Sequence, residues 1–156
     1  MNFLFKPVDT FSDDEPFILI HGVNQLMVMG SGIALAIKQK WPIVEQEYHT
    51  QGCKHLGNFQ WVQVGPNQWV VNLFSQQYVK GHPKLSPYEP AANQNAIMSG
   101  LMRLMRDPRC HKIPVYMPKI GCDLGGLSWE DVKYDVDTIE FFACIEFNII
   151  DNKLIG

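Results

Sequence analysis

The chain has 156 residues, of which 46% are hydrophobic and 19% are charged, and its formal net charge is −3. This is the composition of a folded globular protein, and the length suits one domain over residues 1–156. The slight negative charge gives no long-range attraction to a nucleic-acid backbone, and no basic patch is present, so we expect no nucleic acid among the partners. No stretch approaches the roughly 20 apolar residues of a membrane helix, and the N-terminus lacks a secretory pattern; we expect a cytoplasmic protein with no membrane partner.

Short apolar runs alternate with helical patterns along the chain. This alternation predicts an α/β fold with a substantially parallel sheet, because parallel strands are joined by crossover helices. The elements predicted in the first half are strands at 2–5 and 17–20, a helix at 33–41 that stops before Pro42, and strands at 59–64 and 69–73 around the turn Gly65-Pro66-Asn67.

The second half repeats the pattern with a long helix between strands. Its predicted elements are a helix within 90–106 that Pro108 stops, a strand at 113–117, a helix from Ser128 to about Phe142, and a strand at 144–150. Pro114 indicates an irregular or edge position for the strand that contains it. Ser128 can cap the last helix. Together the patterns predict about six strands and three or four helices.

Two glycine-rich segments each follow a predicted strand and precede a predicted helix. The first ends in Gly30-Ser31-Gly32, and the second contains Gly121, Gly125 and Gly126. Glycine lets backbone N–H groups approach an anion closely, and a helix N-terminus adds unpaired donors. Because ligands of open α/β sheets bind at the carboxyl ends of strands, the two segments together predict a site for a diphosphate. Neither matches a Walker loop or a dinucleotide fingerprint.

The motifs around these glycines resemble those of the macrodomain family, in the branch of ADP-ribose-1''-phosphate phosphatases and terminal ADP-ribose glycohydrolases. A first pattern, H-x-x-[NS]-x(5)-G-x-G-I-A, is met by His21, Asn24, Gly30, Gly32, Ile33 and Ala34. A second, M-P-x-I-G-C-x-L-x-x-L-x-W, is met by Met117, Pro118, Ile120, Gly121, Cys122, Leu124, Leu127 and Trp129. Asp9 stands where the family has G-D-L-F, and 70–76 resembles its central strand. The resemblance implies a three-layer α/β/α fold with a mixed, largely parallel sheet.

The resemblance also implies where ADP-ribose would lie. Asp9 would accept a hydrogen bond from the adenine amino group, Gly30–Ile33 and Gly121–Gly126 would hold the diphosphate and distal ribose, and Asn24 would contact that ribose near the reacting carbon. The full ligand-binding set expected in this way is Asp9, Thr10, Gly30, Ser31, Gly32, Ile33, Gln76, Gly121, Cys122, Leu124, Gly125 and Gly126.

Three residues are candidates for chemistry: His21, Asn24 and Asp123. His21 is expected at the end of the strand, at the mouth of the first loop, where an imidazole could transfer a proton; a histidine bonded into the cleft wall is equally common. Asp123 could orient water. The glycohydrolase branch has its catalytic aspartate where this chain has Gly125 and its nucleophilic lysine where this chain has glutamine, which argues against a lysyl intermediate. Whether Lys80, His82 or Lys84 reach the site stays open.

Three functions remain in competition. The preferred one is removal of phosphate from ADP-ribose 1''-phosphate; the others are hydrolysis of an ADP-ribosyl carboxylate (on a protein or in O-acetyl-ADP-ribose) and reading of ADP-ribose without catalysis. The expected partner is therefore a small ADP-ribose derivative or an ADP-ribosylated protein. We expect no cofactor and no metal, because the four widely spaced cysteines match no standard zinc pattern and read as free thiols.

Overall fold

The computed structural model describes residues 1–50 and 55–151. Within them the chain forms six strands: β1 (Asn2–Phe5), β2 (Phe17–Asn24), β3 (Phe59–Gly65), β4 (Gln68–Gln76), β5 (Val115–Met117) and β6 (Phe147–Asp151). The described helices are α1 (Gly32–Lys40), α2 (Pro42–Thr50), α3 (Gln94–Leu104) and α4 (Trp129–Ala143), with short 3-10 turns at Val8–Thr10 and Pro108–His111.

The strands form one sheet in the order β1-β6-β5-β2-β4-β3. All neighbouring pairs are parallel except β3 and β4, which form an antiparallel hairpin. The hairpin turns at Asn67, whose φ is 55°. The prediction of a mixed, largely parallel sheet is therefore confirmed, and so is the hairpin around Gly65-Pro66-Asn67.

Helices cover both faces of the sheet. On β2 the side chains alternate: Ile18 and Ile20 belong to the apolar cluster shared with α3 and α4, whereas Phe17 and Leu19 belong to the cluster shared with α1 and α2. Such two-sided burial explains why β2 reads as a continuous apolar run. The result is the expected three-layer α/β/α arrangement. Of the helices in the described ranges, none has the length and apolarity that a bilayer crossing needs.

Two elements near the first glycine-rich segment differ from prediction. Strand β2 continues through the polar residues His21 and Asn24, because it pairs with β4 along its whole length. Helix α2 was not predicted; Pro42 stops α1 but also begins α2, and only Val44 and Tyr48 of α2 are buried. Proline at the first helical position is common because its missing N–H needs no partner there.

Three details of the second half also differ. Strand β5 lies in the middle of the sheet rather than at an edge; Pro114 precedes the strand, and its carbonyl accepts a hydrogen bond from Ile18 N at 2.9 Å. Ser128 occupies the N-cap of α4 without a side-chain cap bond. Cys144 adopts a left-handed conformation that ends α4, so β6 begins only at Phe147.

Candidate functional site at the carboxyl edge of the sheet

Three connections meet at one edge of the sheet. We call residues 25–31, between β2 and α1, loop 1; residues 77–93, between β4 and α3, the middle segment; and residues 118–128, between β5 and α4, loop 2. Because β2 lies between β4 and β5 and is parallel to both, all three connections leave the same edge. The predicted juxtaposition of the two glycine-rich segments is confirmed at this level.

The glycines of loop 1 stand in open surroundings. Among the described residues, no heavy atom lies within 4 Å of the place where a Cβ of Gly32 would be, and a Cβ on Gly30 would meet only Val28 Cγ1, at 3.6 Å. Gly32 needs its φ of +60°, but Gly30 does not adopt a positive φ. Ser31, the N-cap of α1, makes no side-chain cap bond. The backbone N–H groups that begin α1 can therefore be approached from outside.

The glycines of loop 2 are packed against their neighbours. A Cβ on Gly121 would lie 2.7 Å from Ile97 Cδ1, and one on Gly125 would lie 2.8 Å from Ala92 Cβ. Gly126 has a φ of +79°. The same loop exposes Asp123 and Leu124, the latter at 45%. Cys122 is half-buried, and burial raises the pKa of its thiol to about 11, so the thiol stays protonated.

Asn24 organises loop 1 from the end of β2. Its Oδ1 accepts from the backbone N–H groups of Leu26 at 3.0 Å and Val28 at 3.2 Å, and its Nδ2 donates to Val28 O at 2.9 Å. The side chain is 7% exposed. The amide that was expected to contact the distal ribose is thus turned into the loop, and what it determines directly is the loop's shape.

His21 does not stand at the mouth of loop 1. It lies inside β2 with 0% exposure, and its Nε2 is 2.6 Å from Asn72 Oδ1. Asn72 Nδ2 donates to Gln60 Oε1 at 3.1 Å, and Gln60 Nε2 donates to Glu47 O at 2.7 Å. These bonds orient both amides, so Asn72 presents an oxygen to His21, and Nε2 is the protonated nitrogen. We call His21, Asn72 and Gln60 the buried polar row; the first two are fully buried, and Gln60 is half-buried at its outer end.

Burial keeps the His21 imidazole neutral. Burial lowers the pKa of the imidazole to about 4, although the hydrogen bond to Asn72 opposes this shift. Its Nδ1 is buried without a hydrogen-bond partner among the described residues. The expected position at the cleft mouth is therefore wrong, because β2 extends past His21. A catalytic role for this side chain stays a prediction, and the described geometry gives it no surface for a substrate.

Asp9 and Thr10 lie in a turn that packs against α1 and is bonded by Lys40, the last residue of that helix. Both are exposed in the 3-10 turn that follows β1, and Lys40 Nζ donates to Asp9 O at 3.0 Å and to Phe11 O at 2.6 Å. Lys40 ends α1 and Gly32 begins it, so these two residues lie about 12 Å apart along the helix axis at 1.5 Å per residue. An elongated ligand would be needed to reach both ends.

The middle segment follows Gln76, the last residue of β4, and lines a groove. Gln76 Nε2 donates to Tyr78 O at 2.8 Å, and the rings of Tyr78 and His82 stack at 4.4 Å. The groove has a volume of about 720 Å³, and its walls include Gln77, Tyr78, Lys84, Ala92, Asn93 and Leu127. Lys84 therefore reaches the groove. Loop 2 adjoins it, since Ala92 N donates to Gly125 O at 3.0 Å.

Two residues that sequence reasoning missed support loop 1 from α2. Tyr48 is fully buried, and its hydroxyl donates to Asn24 O and lies 3.0 Å from Asn24 Oδ1; burial raises its pKa to about 12. His49 Nε2 lies 3.0 Å from Met27 O. The sequence signal that could have revealed them is Pro42, since proline is common at the first position of a helix and a helix from Pro42 would include Tyr48 and His49.

A metal centre finds no support in the part of the chain that the structure describes. No group of three histidine, cysteine or acidic side chains there is arranged to hold a metal ion. Cys110, Cys122 and Cys144 are free thiols, as expected, and Cys53 lies outside the described residues.

Comparison with known proteins places these features in a family. No family model matches the chain. A DNA ADP-ribosyl glycohydrolase of Mycobacterium tuberculosis is 31% identical over 122 residues, which are 74% of this chain and 32% of that protein. The chain thus spans about a third of the length of the curated relatives it matches.

Solved structures share the fold over nearly the whole chain. The macrodomain of Mycobacterium tuberculosis DarG is 25% identical, with a TM-score of 0.72, and covers 97% of this chain and 98% of its own. Thermosipho africanus DarTG in complex with ADP-ribose is 21% identical, with a TM-score of 0.68, over 89% of this chain and 39% of its own. The fold, the ordered motifs at the sheet edge and these likenesses together show that the chain belongs to the macrodomain family.

Proposed function

We propose that this macrodomain binds ADP-ribose along the carboxyl edge of its sheet. The observation that carries the proposal is the open surroundings of Gly30 and Gly32 at the N-terminus of α1. Neither internal packing nor a positive φ requires glycine at position 30, so close approach of a ligand is the remaining physical reason for it. Unpaired N–H groups at a helix N-terminus suit the diphosphate.

From the diphosphate at the N-terminus of α1, the ligand would extend along the helix on one side and towards loop 2 on the other. In our proposal the adenine lies by Asp9 and Thr10, and the distal ribose lies between loop 1 and loop 2, near Cys122 and Gly126. The separation of about 12 Å along α1 supports an elongated ligand of this kind. Thermosipho africanus DarTG, which shares the fold, has been solved with ADP-ribose.

We further propose that the chain hydrolyses a substituent on C1'' of the distal ribose. The relatives named as DNA ADP-ribosyl glycohydrolases support a hydrolase. ADP-ribose 1''-phosphate and an ADP-ribosylated macromolecule both carry their substituent at this carbon. In phosphate removal, water oxygen bonds to phosphorus, the bond from phosphorus to O1'' breaks, and O1'' takes the proton. In glycosidic hydrolysis, water oxygen bonds to C1'', the bond from C1'' to the acceptor breaks, and a proton passes from water to the acceptor.

The groove beside loop 2 favours a large acceptor over phosphate. It holds about 720 Å³ and is lined mainly by the middle segment, with Leu127 from loop 2, and a phosphate group needs far less room. The acceptor class is open between the modified protein that the family resemblance implies and the DNA in the relatives' name. Phosphate removal from ADP-ribose 1''-phosphate stays a proposal for the same site.

Asp123 is the residue we propose for orienting or activating water. It is exposed on loop 2, on the side of the site where C1'' would lie. Gln76 carries an amide, which cannot serve as the amine nucleophile that a lysyl intermediate requires. Water is therefore the nucleophile in this proposal, and an aspartate is suited to accept its proton.

A reader that binds ADP-ribose without turnover is the second candidate. It is favoured by the burial of His21 and by the engagement of the Asn24 amide within loop 1. These two residues would then shape the site and take no part in proton transfer.

Calorimetric titration with ADP-ribose, followed by parallel hydrolysis assays, tests these proposals. The assay substrates are ADP-ribose 1''-phosphate, an ADP-ribosylated protein and an ADP-ribosylated oligonucleotide. We expect Asp123→Asn to lower kcat about 100-fold, the scale of general acid–base catalysis, with the Kd for ADP-ribose nearly unchanged. Asp14→Asn, an exposed change before β2, is the matched control.

The outcomes separate the candidates. Release of ADP-ribose from a macromolecule, with little phosphate release, supports the glycohydrolase. Phosphate release alone supports the phosphatase. Binding without any turnover makes the chain a reader, and no heat with ADP-ribose ends the proposal altogether.

A further inference from the structure

Loop 1 takes its shape from hydrogen bonds to one side chain. Asn24 binds both polar backbone groups of Val28 and the N–H of Leu26. Between them Met27 adopts a φ of 64°, which a residue with a side chain rarely adopts without such support. Val28 stands two residues before Gly30, and its Cγ1 lies 3.6 Å from the place where a Cβ of that glycine would be. The place of Gly30 therefore depends on the Asn24 amide.

The Asn24 amide is in turn held from α2. The Tyr48 hydroxyl donates to Asn24 O and lies 3.0 Å from Asn24 Oδ1, and the ring is fully buried beside Phe74 at 6.0 Å. A buried carbonyl that loses its donor must find another partner or change position. The hydroxyl thus joins α2 to the end of β2, directly before loop 1, at a point that solvent does not reach.

A second contact from α2 acts on the strained residue itself. His49 Nε2 lies 3.0 Å from Met27 O, and because a carbonyl oxygen only accepts, Nε2 is the donor. His49 is exposed, unlike Tyr48. The two adjacent residues therefore hold loop 1 at two points, one inside the core and one at its surface.

We propose that Tyr48 is a positioning residue for ADP-ribose: through Asn24 it holds loop 1 in the shape that presents Gly30 to the diphosphate. This inference rests on the proposed ligand but not on any catalytic step. Tyr48 lies beneath loop 1, and it acts on the ligand only through Asn24 and Val28.

Tyr48→Phe tests the proposal, because phenylalanine keeps the buried ring and removes only the hydroxyl. We expect the Kd for ADP-ribose to rise about tenfold or more, while the single-turnover rate at saturating substrate stays within about twofold. Amide hydrogen exchange at Leu26 and Val28 should become faster. Tyr134→Phe, on the exposed face of α4 at 74% exposure, is the matched control and should change none of these quantities.

A second variant guards against a general loss of folding. His49→Ala removes the surface contact without touching the core, and we expect a smaller rise in Kd in the same direction. Unchanged exchange at Leu26 and Val28 in Tyr48→Phe, or an unchanged Kd in a wild type that binds ADP-ribose, would overturn the inference. Failure of the wild type to bind ADP-ribose would instead overturn the proposed function, and the exchange measurement would still decide whether Tyr48 holds the loop.

Discussion

Loop 1 and loop 2 are both rich in glycine, yet their glycines meet different physical demands. A Cβ on Gly30 would meet one side-chain atom at an ordinary distance, whereas a Cβ on Gly125 would meet Ala92 Cβ at 2.8 Å and the Gly121 carbonyl closer still. Neither residue has a positive φ. Glycine in loop 2 is thus required by packing, and glycine in loop 1 leaves space at the surface. The physical reason for a glycine therefore differs between the two loops, and only the folded structure shows which reason applies.

The side chains beneath the two loops differ in polarity as well. Loop 1 continues from β2, which contributes His21 to the buried polar row; Asn72 of β4 and Gln60 of β3 complete the row. Loop 2 packs its own apolar side chains, Ile120 and Leu127, into the apolar cluster that contains Ile97. The stability of the region beneath loop 1 should therefore depend on pH and on hydrogen bonding. The stability of loop 2 should depend on steric fit. Three experiments test this contrast.

The largest effect is expected from pH. The folded protein keeps His21 neutral down to a pKa of about 4, whereas the unfolded chain protonates it near the ordinary value of 6.5. Between these values the unfolded state binds the additional proton, so the free energy of unfolding falls as the pH is lowered from 6.5 to 4. The His21 contribution is up to about 3 kcal/mol, from 1.36 kcal/mol per pKa unit.

His21→Gln should remove this part of the pH dependence. Glutamine keeps a donor for Asn72 Oδ1 and does not titrate. Urea unfolding between pH 4 and 7.5 measures the effect as the difference between variant and wild type. His111→Gln, at an exposed position, should follow the wild-type curve. Equal curves for wild type and His21→Gln would contradict the burial of a neutral His21.

Steric fit in loop 2 should give the next largest effect. Gly125→Ala places a methyl group against Ala92 and the Gly121 carbonyl, and we expect a loss of about 2 kcal/mol in the free energy of unfolding. For a domain of this size that corresponds to a fall in Tm of about 4–8 °C, measured by thermal unfolding. Gly30→Ala serves as the control and should leave Tm nearly unchanged. A similar fall in both variants would remove the distinction between the loops.

The smallest effect concerns the open side of loop 1. Gly30→Val should leave the free energy of unfolding within about 0.5 kcal/mol, because the side chain points into open surroundings. Binding should suffer instead: we expect the Kd for ADP-ribose to rise at least tenfold, or about 1.4 kcal/mol. Calorimetric titration at one temperature below both melting transitions gives the comparison. Wild-type affinity in Gly30→Val would show that the ligand does not approach this glycine.

Local patterns predicted most of the fold, and they failed where partners distant in sequence decide. The apolar run at the start of β2 was sufficient to predict that strand, and the turn signal at Asn67 was sufficient to predict the β3–β4 hairpin. His21 and Asn24 read as loop residues, but both belong to β2 because the strand pairs with β4 along its whole length. Pro114 indicated an edge, yet β5 is central, since the proline stands just outside the strand and its carbonyl still accepts a bond.

The location of the site could be predicted from the sequence, but the roles of its side chains could not. Parallel order brings the ends of β2 and β5 together, so the meeting of the two glycine-rich segments followed from the element order alone. The orientation of the Asn24 amide did not follow, because it depends on Tyr48 in a helix that the pattern did not show. Nor can sequence distinguish Gly30 from Gly125, which differ only in what surrounds them.

The bond between Ala92 N and Gly125 O joins the middle segment to loop 2 across the groove wall. A change of length between β4 and α3 would therefore be transmitted to loop 2 even if every residue of loop 2 were kept. Macrodomains with the same glycine motif but a different middle segment should, for this reason, differ in how they accommodate the group attached to ADP-ribose.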